Sequence, residues 1–389
     1  MLLITKTPQF KLPTISQLLH DINKRLTQSD MKKFGIYTVK ILTILFALVG
    51  VVLCAAYVGV NLHLTDTEGI VDSQVEVFWK NGKQPQVFSA ASQTQDAFFT
   101  VENYCALQKI KTLYPGTFLR ILNAALDGKK MQAQNNLNVA MLNLNVSNAD
   151  CSSQTPSSLS QKDFEAMTNM VDVTDPFLLS TTTEWAFFKT GVLQDTEVLR
   201  RVEGETGIKS RVLVSIMVAE QMRLFYSDRA WFKQAIAPSK MLASMSQFSL
   251  GVMGVKNETA VTTEDNLKNP DSPFYPGAQF EHALDFKTPE IDAERFARIT
   301  NSHDHYYSYL YAALYCKEII AQWKKAGFDI SDRPEILATL FNIGFSHSTP
   351  NADPQIGGAG MTIEGRQFSF GGLAYTFYYS GELLDEFPQ

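Results

Sequence analysis

The sequence predicts a mainly α-helical protein, with one transmembrane helix near the N-terminus and a larger domain outside the cytoplasm. Three observations lead to this prediction. The first is an uncharged apolar run at 41–60, and the second is a largely apolar helical segment that ends at Glu220. The third is a pair of amphipathic helical segments between 306 and 344. Few segments after residue 190 show the alternating pattern of a strand.

The apolar run Ile41–Val60 contains no charged residue. At about 1.5 Å per residue it is long enough for the roughly 30 Å of a bilayer core. Seven basic and two acidic residues precede it, so the positive-inside rule places the N-terminus in the cytoplasm. A cleaved signal peptide is the alternative, but about 40 residues come before the run. We therefore expect a cytoplasmic tail over 1–40, a single transmembrane helix over 41–62, and a remainder outside the cytoplasm.

The net charge of the residues that follow the predicted membrane span limits the kinds of molecule that they can bind. Residues 65–389 hold 27 basic and 38 acidic residues, a formal net charge of −11. Such a surface repels polyanions, so we expect no nucleic-acid binding. Three cysteines follow the span, too few for a disulfide framework, although Cys105 and Cys151 could form a bridge in an oxidising compartment. Cys316 lies in a helical pattern and is interpreted as a core residue.

The composition changes near residue 160. Residues 147–161 are rich in Ser, Thr, Asn and Pro, which is typical of a surface loop or linker. We therefore expect a membrane-proximal region over 63–160, with a helix near Leu119–Leu126, and a main domain over 161–389. The membrane-proximal region carries no recognisable motif.

The main domain is expected to be helical. Ser210 is a candidate N-cap for a helix beginning at Arg211, and the residues up to Ala219 are apolar on all sides of its axis, which indicates a buried helix. Residues 306–327 form an amphipathic pattern closed by Gly327. Asp332, Pro334 and Glu335 suggest a capping box for the next helix, and a last helix is expected from about Leu373.

Glu220 is the residue whose position in the sequence most favours a catalytic role. It ends the buried helical segment, and burial favours the protonated form of a carboxyl group. A protonated carboxyl near neutral pH can serve as a general acid in glycoside cleavage, giving its proton to the leaving oxygen. The alternative interpretation is a buried, paired glutamate that performs no reaction.

Three segments in order, GIKSRVLVSIMVAEQ, SQFSLGVMGVKNETA and ILATLFNIG, resemble the lysozyme-like lytic transglycosylases over about 140 of the 389 residues. The resemblance implies a lysozyme-like domain whose catalytic acid/base is Glu220. It also implies a substrate-binding set, which comprises Gly251, Val252, Met253, Thr259, Asn342 and Gly344. Departures from the family pattern are Gln221 in place of a serine, Gly254 in place of a glutamine and Phe341 in place of a tyrosine.

The resemblance further implies a reaction and its partners. A lytic transglycosylase cleaves the bond between N-acetylmuramic acid and N-acetylglucosamine with one carboxylate and no cofactor. Peptidoglycan strands would be the substrate, and an envelope-spanning secretion or conjugation machine a possible partner. A hydrolytic muramidase would need a second carboxylate, for which Glu258, Asp285 and Asp304 are candidates. A catalytically silent lysozyme-like scaffold remains the alternative.

The sequence gives little support for a metal site or for a phosphate-binding or dinucleotide-binding loop. The histidines around His303 and His305 are two residues apart, which does not place them on one helix face, and the segment is typical of a polar turn. We therefore expect no metal. The glycines at 357–360 lack the spacing of phosphate-binding or dinucleotide-binding loops and are interpreted as a turn.

Overall fold

The computed structural model describes residues 98–146, 159–168, 174–226 and 249–389, together with six helical positions between 40 and 50. Most of the predicted membrane span at 41–62 and most of the predicted linker at 147–161 therefore lie outside the described residues. No helix in the described ranges is both long and apolar enough to cross a membrane. The chain divides into two compact units, Met1–Thr67 and Glu68–Gln389.

The second unit is mainly α-helical, as predicted. Its described helices are α1 Val101–Leu113, α2 Pro115–Leu126, α3 Lys130–Leu144, α4 Gln161–Glu165, α5 Thr183–Gln194, α6 Thr196–Thr206, α7 Ser210–Phe225, α8 Asn257–Leu267, α9 Ile291–Ile299, α10 Tyr306–Lys325, α11 Pro334–Ile343 and α12 Phe370–Tyr378. Two antiparallel hairpins accompany them, β1 Ser249–Leu250 with β2 Val255–Lys256, and β3 Gly360–Ile363 with β4 Arg366–Ser369.

Helices α1, α2 and α3 pack around a core of their own. The hydroxyl of Thr100 accepts a hydrogen bond from the Asn103 amide and caps α1. Pro115 opens α2, where its missing N–H costs nothing. Asn145, in the left-handed conformation, ends α3. Phe118, Ile121 and other apolar residues between 98 and 167 fill this core.

The buried carboxylate of Asp175 joins the start of α2 to the segment around residue 175. Asp175 accepts hydrogen bonds from the amides of Gly116 and Thr117 at 2.9 and 2.6 Å. It also forms an ion pair with Arg120. A negative charge at a helix N-terminus satisfies unpaired N–H groups and interacts favourably with the helix dipole.

A second and larger core extends from residue 177 to residue 387. Helix α7 lies inside it, because every residue from Ser210 to Glu220 is buried. Helices α5, α6, α10, α11 and α12 pack against α7. An aromatic cluster that includes Phe177, Trp185 and Phe377 fills the space beside α12.

Arg211 joins the first turn of α7 to the C-terminal segment. Its fully buried guanidinium donates hydrogen bonds to the carbonyls of five residues, at distances of 2.7–3.0 Å. These acceptors are Phe377, Tyr378, Ser380, Glu382 and Phe387. Burial lowers the pKa of Arg211 to about 10. The carbonyls at the end of α12 offer the negative end of a helix dipole, which favours a cation there.

Several helix boundaries differ from the sequence-based expectations. Helix α7 begins at Ser210, one residue earlier than expected, so Lys209 rather than Ser210 is its N-cap residue. The Ser210 amide donates to the Glu203 carboxylate at 2.8 Å. The capping box at Asp332–Glu335 was wrong, since α11 begins at Pro334 and Glu335 pairs with Arg333. The last helix begins at Phe370, because the Ser369 hydroxyl caps it.

Other expectations are confirmed. Helix α10 runs from Tyr306 to Lys325, and Gly327 follows it with a φ of +87°. Cys316 is a free, buried thiol, and burial raises its pKa to about 12. Cys105 is disulfide-bonded. Cys151, the other half of the expected bridge, lies outside the described residues.

Candidate active site

Glu220 lies in the third turn of α7 with 5% of its surface exposed. The helix reaches this depth because its apolar side chains face neighbours on all sides. Its carboxylate forms an ion pair with Arg223, which follows one turn later on the same helix. The Nη2 atom of Arg223 lies 2.6 Å from Oε1 and 2.8 Å from Oε2, and Nε lies 3.2 Å from Oε2. Both carboxylate oxygens are therefore engaged by one guanidinium.

The turn between β1 and β2 lies directly against this carboxylate. A Cβ added at Gly254 would stand 2.5 Å from Oε1 of Glu220 and 2.6 Å from its Cδ. Gly254 also has a φ of +64°, which side chains other than glycine rarely adopt. Both the backbone conformation and the available space therefore require glycine at this point.

The turn between β1 and β2 is also held by contacts with Ile299 and Ser308. Gly251 has a φ of +66°, and a Cβ there would collide with the Ile299 carbonyl. The Met253 amide donates to the hydroxyl of Ser308 at 3.4 Å, and the Met253 side chain is fully buried. The turn is thus held between the end of α9, the start of α10 and Glu220.

Gln221 ties the turn to the helix that carries Glu220. Its Nε2 donates to the Val252 carbonyl at 2.7 Å. Gln221 departs from the family pattern in the sequence, and this hydrogen bond gives it a positioning role. Three sequence-predicted residues, Gly251, Val252 and Met253, thus belong to a turn that contacts Glu220 through Gly254.

Thr259 and Asn342 occupy different environments. Thr259 is half-buried in the first turn of α8, next to the buried Ala260. The Asn342 side chain, near the end of α11, accepts the Ala359 amide at 2.7 Å. Gly344 ends α11 with a φ of +95°. Asn342 therefore uses its amide oxygen to fix the glycine-rich loop at 357–360.

The candidate second carboxylates have other surroundings. Asp285 is paired with Lys268 and His282, both at 2.8 Å, and these partners lower its pKa. Asp304 accepts the Tyr306 amide at the start of α10. Glu258 is exposed in the first turn of α8. Asp285 and Asp304 thus stabilise the structure of their own segments through these contacts.

His305, in the turn before α10, contacts the carboxylate of Asp195. His305 Nδ1 lies 2.6 Å from Oδ2 of Asp195, and the same oxygen accepts the hydroxyl of Tyr309. Across the described ranges, no three His, Cys, Asp or Glu side chains are grouped as metal ligands would be.

Sequence reasoning missed two residues of the site, Arg223 and Gln221. The signal for Arg223 was present, because residues three apart share a helix face and an arginine there can pair with a glutamate. Nothing in the sequence indicated the contact of Gln221, whose acceptor lies 31 residues away.

Fold and site together define a mainly helical domain with a buried carboxylate–guanidinium pair beside a glycine turn. Comparison with known protein families, curated proteins and solved structures gave no match.

Proposed function

We propose that this protein is a membrane-anchored peptidoglycan lytic transglycosylase with a lysozyme-like catalytic domain. Glu220 is the general acid/base, and it cleaves the bond between N-acetylmuramic acid and N-acetylglucosamine. The observation that carries the proposal is the contact of the buried Glu220 carboxylate with the Gly251–Gly254 turn. Gly254 places backbone rather than an apolar side chain against this carboxyl group, so the carboxyl group does not lie among apolar side chains alone.

The chemistry needs only one carboxyl group. Protonated Glu220 gives its proton to the glycosidic oxygen while positive charge develops at the anomeric carbon. The resulting carboxylate then takes the proton of the muramic acid 6-hydroxyl, and that oxygen closes a 1,6-anhydro ring. Glu220 ends the cycle protonated again, and no water is consumed. The structural contacts of Asp285 and Asp304 are compatible with a reaction that has no second carboxylate.

The other predicted residues shape the sugar site. We assign Gly251, Val252 and Met253, which belong to the turn that contacts Glu220, to the sugar site, and Gly254 leaves room for the carboxyl group. Thr259, Asn342 and Gly344 are assigned to the same site by the resemblance alone, and Asn342 holds the 357–360 loop. This set needs no cofactor.

The proposed location is the periplasmic side of a bacterial inner membrane. The uncharged run at 41–60 and the basic residues before it support the anchor and its direction. The disulfide at Cys105 supports an oxidising compartment. Peptidoglycan strands and an envelope-spanning machine are the proposed partners, and nucleic acid is not one.

A second candidate function is a catalytically silent lysozyme-like module that binds glycan or supports an envelope assembly. One observation favours it, the Arg223 guanidinium that engages both oxygens of Glu220. Such charge-assisted hydrogen bonds stabilise the ionised carboxylate, whereas a general acid must carry a proton.

Incubation of the full-length protein with purified sacculi tests the enzyme. Wild-type protein should release anhydromuropeptides detectable by mass spectrometry, and Glu220→Gln should release none. Glu197→Gln, at an exposed position on α6, is the matched control and should remain active. Wild-type protein that binds sacculi but releases nothing would establish the silent module instead.

A further inference from the structure

Ser308, in the first turn of α10, lies against the turn between β1 and β2. Its hydroxyl accepts the Met253 amide at 3.4 Å. A Cβ added at Gly251, in the same turn, would stand 2.8 Å from Oγ of Ser308. Ser308 and Met253 are both fully buried. The first turn of α10 therefore sets where this turn of the backbone can lie.

The next residue, Tyr309, contacts the helix that carries Glu220. Its hydroxyl lies 3.7 Å from Sδ of Met217, which precedes Glu220 by about one helical turn on α7. Tyr309 and Met217 are also buried. Two neighbouring residues of α10 thus contact the two elements that meet at Glu220, Ser308 on the side of the turn and Tyr309 on the side of α7.

One carboxylate oxygen of Asp195 holds this part of α10. Oδ2 of Asp195 lies 2.6 Å from Nδ1 of His305 and 2.6 Å from the hydroxyl of Tyr309. Burial, together with the hydrogen bond to Asp195, raises the pKa of Tyr309, so its hydroxyl keeps a proton to donate. His305 and Tyr309 lie on either side of Ser308 in the sequence. The two hydrogen bonds therefore fix the backbone of the residue that contacts the β1–β2 turn.

The place of Asp195 in the chain indicates that its side chain serves α10 rather than its own helix. Asp195 is the N-cap residue of α6, where an aspartate side chain usually accepts an amide of the first helical turn. It makes no such capping hydrogen bond. Its carboxylate instead binds groups 110 and 114 residues later in the chain. The stability of α6 alone therefore does not explain an aspartate at this position.

We propose that Asp195 is a positioning residue for the candidate site, which acts through the first turn of α10 on both the β1–β2 turn and α7. Through Ser308 it sets the position of the turn that contacts Glu220. Through Tyr309 it sets the position of α7 one turn before Glu220. Its effect on glycan cleavage rests on the proposed function, whereas its effect on the turn does not.

Hydrogen exchange of the full-length protein in detergent tests this role without turnover. Asp195→Ala removes both hydrogen bonds, so peptides covering 249–256 should exchange about tenfold faster than in wild type. Asp175→Ala is the matched control, because Asp175 is also a buried carboxylate that holds the start of a helix, here α2 in the smaller core. It should speed exchange in α2 and leave 249–256 unchanged.

Asp195→Asn separates the hydrogen bonds from the charge. The asparagine oxygen has two lone pairs for the two donors, but hydrogen bonds to a neutral acceptor are weaker than those to a carboxylate. Exchange at 249–256 should therefore lie between the rates of wild type and Asp195→Ala. Thermal melting verifies that each variant is folded, and Asp195→Asn carries the test if Asp195→Ala does not fold.

Equal exchange at 249–256 in the folded Asp195 variants and in Asp175→Ala would overturn the inference. Release of anhydromuropeptides is measured separately, and Asp195→Asn should lower kcat more than it raises KM, because Asp195 acts on the position of Glu220 and is not assigned to the sugar site. A protein that shows the predicted exchange but never cleaves sacculi would disprove the enzyme and leave the role of Asp195 intact. Cleavage by wild type with unaltered exchange in the Asp195 variants would do the reverse.

Discussion

Gly254 and Glu220 are in direct contact, with the glycine backbone so near the carboxyl group that a methyl group on Gly254 would stand 2.5 Å from Oε1. The two residues come from different elements, a hairpin turn and the central helix α7. Their contact fixes where the carboxylate can lie, and it makes the turn as important to the site as the glutamate itself.

Gly254→Ala should displace Glu220 and abolish glycan cleavage. Alanine at a φ of +64° costs about 1–2 kcal/mol, and the collision with the carboxyl group adds to that. Gly207→Ala is the matched control, because Gly207 has a φ of +70° but nothing within 4 Å of an added Cβ. Urea denaturation should show a larger loss of stability for Gly254→Ala. Equal losses would mean that the contact with Glu220 is not tight.

Gln221→Ala should loosen the hairpin turn without unfolding the domain. The lost hydrogen bond to the Val252 carbonyl is worth about 0.5–1.5 kcal/mol. Hydrogen exchange of peptides covering 249–256 should become faster than in wild type. Gln161→Ala, which removes an exposed glutamine, should leave this exchange unchanged. Unaltered exchange in Gln221→Ala would exclude a positioning role.

Arg211→Met should be among the most damaging single changes in the protein. It removes five hydrogen bonds to buried carbonyls, and a loss of at least about 3 kcal/mol is expected. Arg200 offers a control, since it is exposed and paired with Glu197 on the surface, where Arg200→Met should cost less than about 1 kcal/mol. Chemical denaturation of both variants measures the difference.

Glu318→Gln should stabilise the protein at neutral pH. Glu318 is fully buried in α10, and burial raises its pKa well above the ordinary value. The folded state then holds a proton that the unfolded state releases above pH ~4.3, so this group lowers the stability as the pH rises, by about 1.4 kcal/mol per unit up to the folded-state pKa. The free energy of unfolding between pH 5 and 8 should fall less steeply in Glu318→Gln than in wild type.

Glu258→Gln provides the comparison for that experiment, because Glu258 is exposed. Its pH profile of stability should match wild type. A Glu318→Gln profile that also matched wild type would show that Glu318 is not held protonated.

The two cysteines described should differ in reactivity. Cys105 should resist alkylation even in denaturant until a reductant is added, because it is disulfide-bonded. Cys316 should resist alkylation only while the protein is folded, because it is buried and its thiol pKa is raised to about 12. Peptide mass spectrometry distinguishes the two. Labelling of Cys105 in unreduced, denatured protein would contradict the disulfide.

Local patterns were enough to predict several helices, but not how α7 and α11 begin. Helix α10 followed from its amphipathic pattern and Gly327, and the burial of α7 followed from apolar residues around its whole axis. The expected Ser210 cap was wrong because α7 begins one residue earlier, where the Ser210 amide donates to Glu203, seven residues before it. The residues next to the start of α7 do not indicate that the chain places the Glu203 carboxylate there.

The candidate site was predicted only through the resemblance proposed from three segments of the sequence. The resemblance placed the Gly251–Gly254 segment near Glu220, and the structure brings the two into contact. The resemblance could not indicate Arg223, because the family pattern assigns it no role. Nor could any local pattern indicate that Arg211 is paired with carbonyls 166–176 residues away.

The contacts of Arg211 also set an order of events during synthesis. The helix that carries Glu220 obtains the partners of its buried arginine only after residues 377–387 have been translated and, if the anchor has the predicted orientation, exported. Contacts over such a separation form late in folding. A nascent chain that still lacks this segment therefore has no complete site, and any activity of Glu220, including the proposed glycan cleavage, must wait until the C-terminal segment has joined α7.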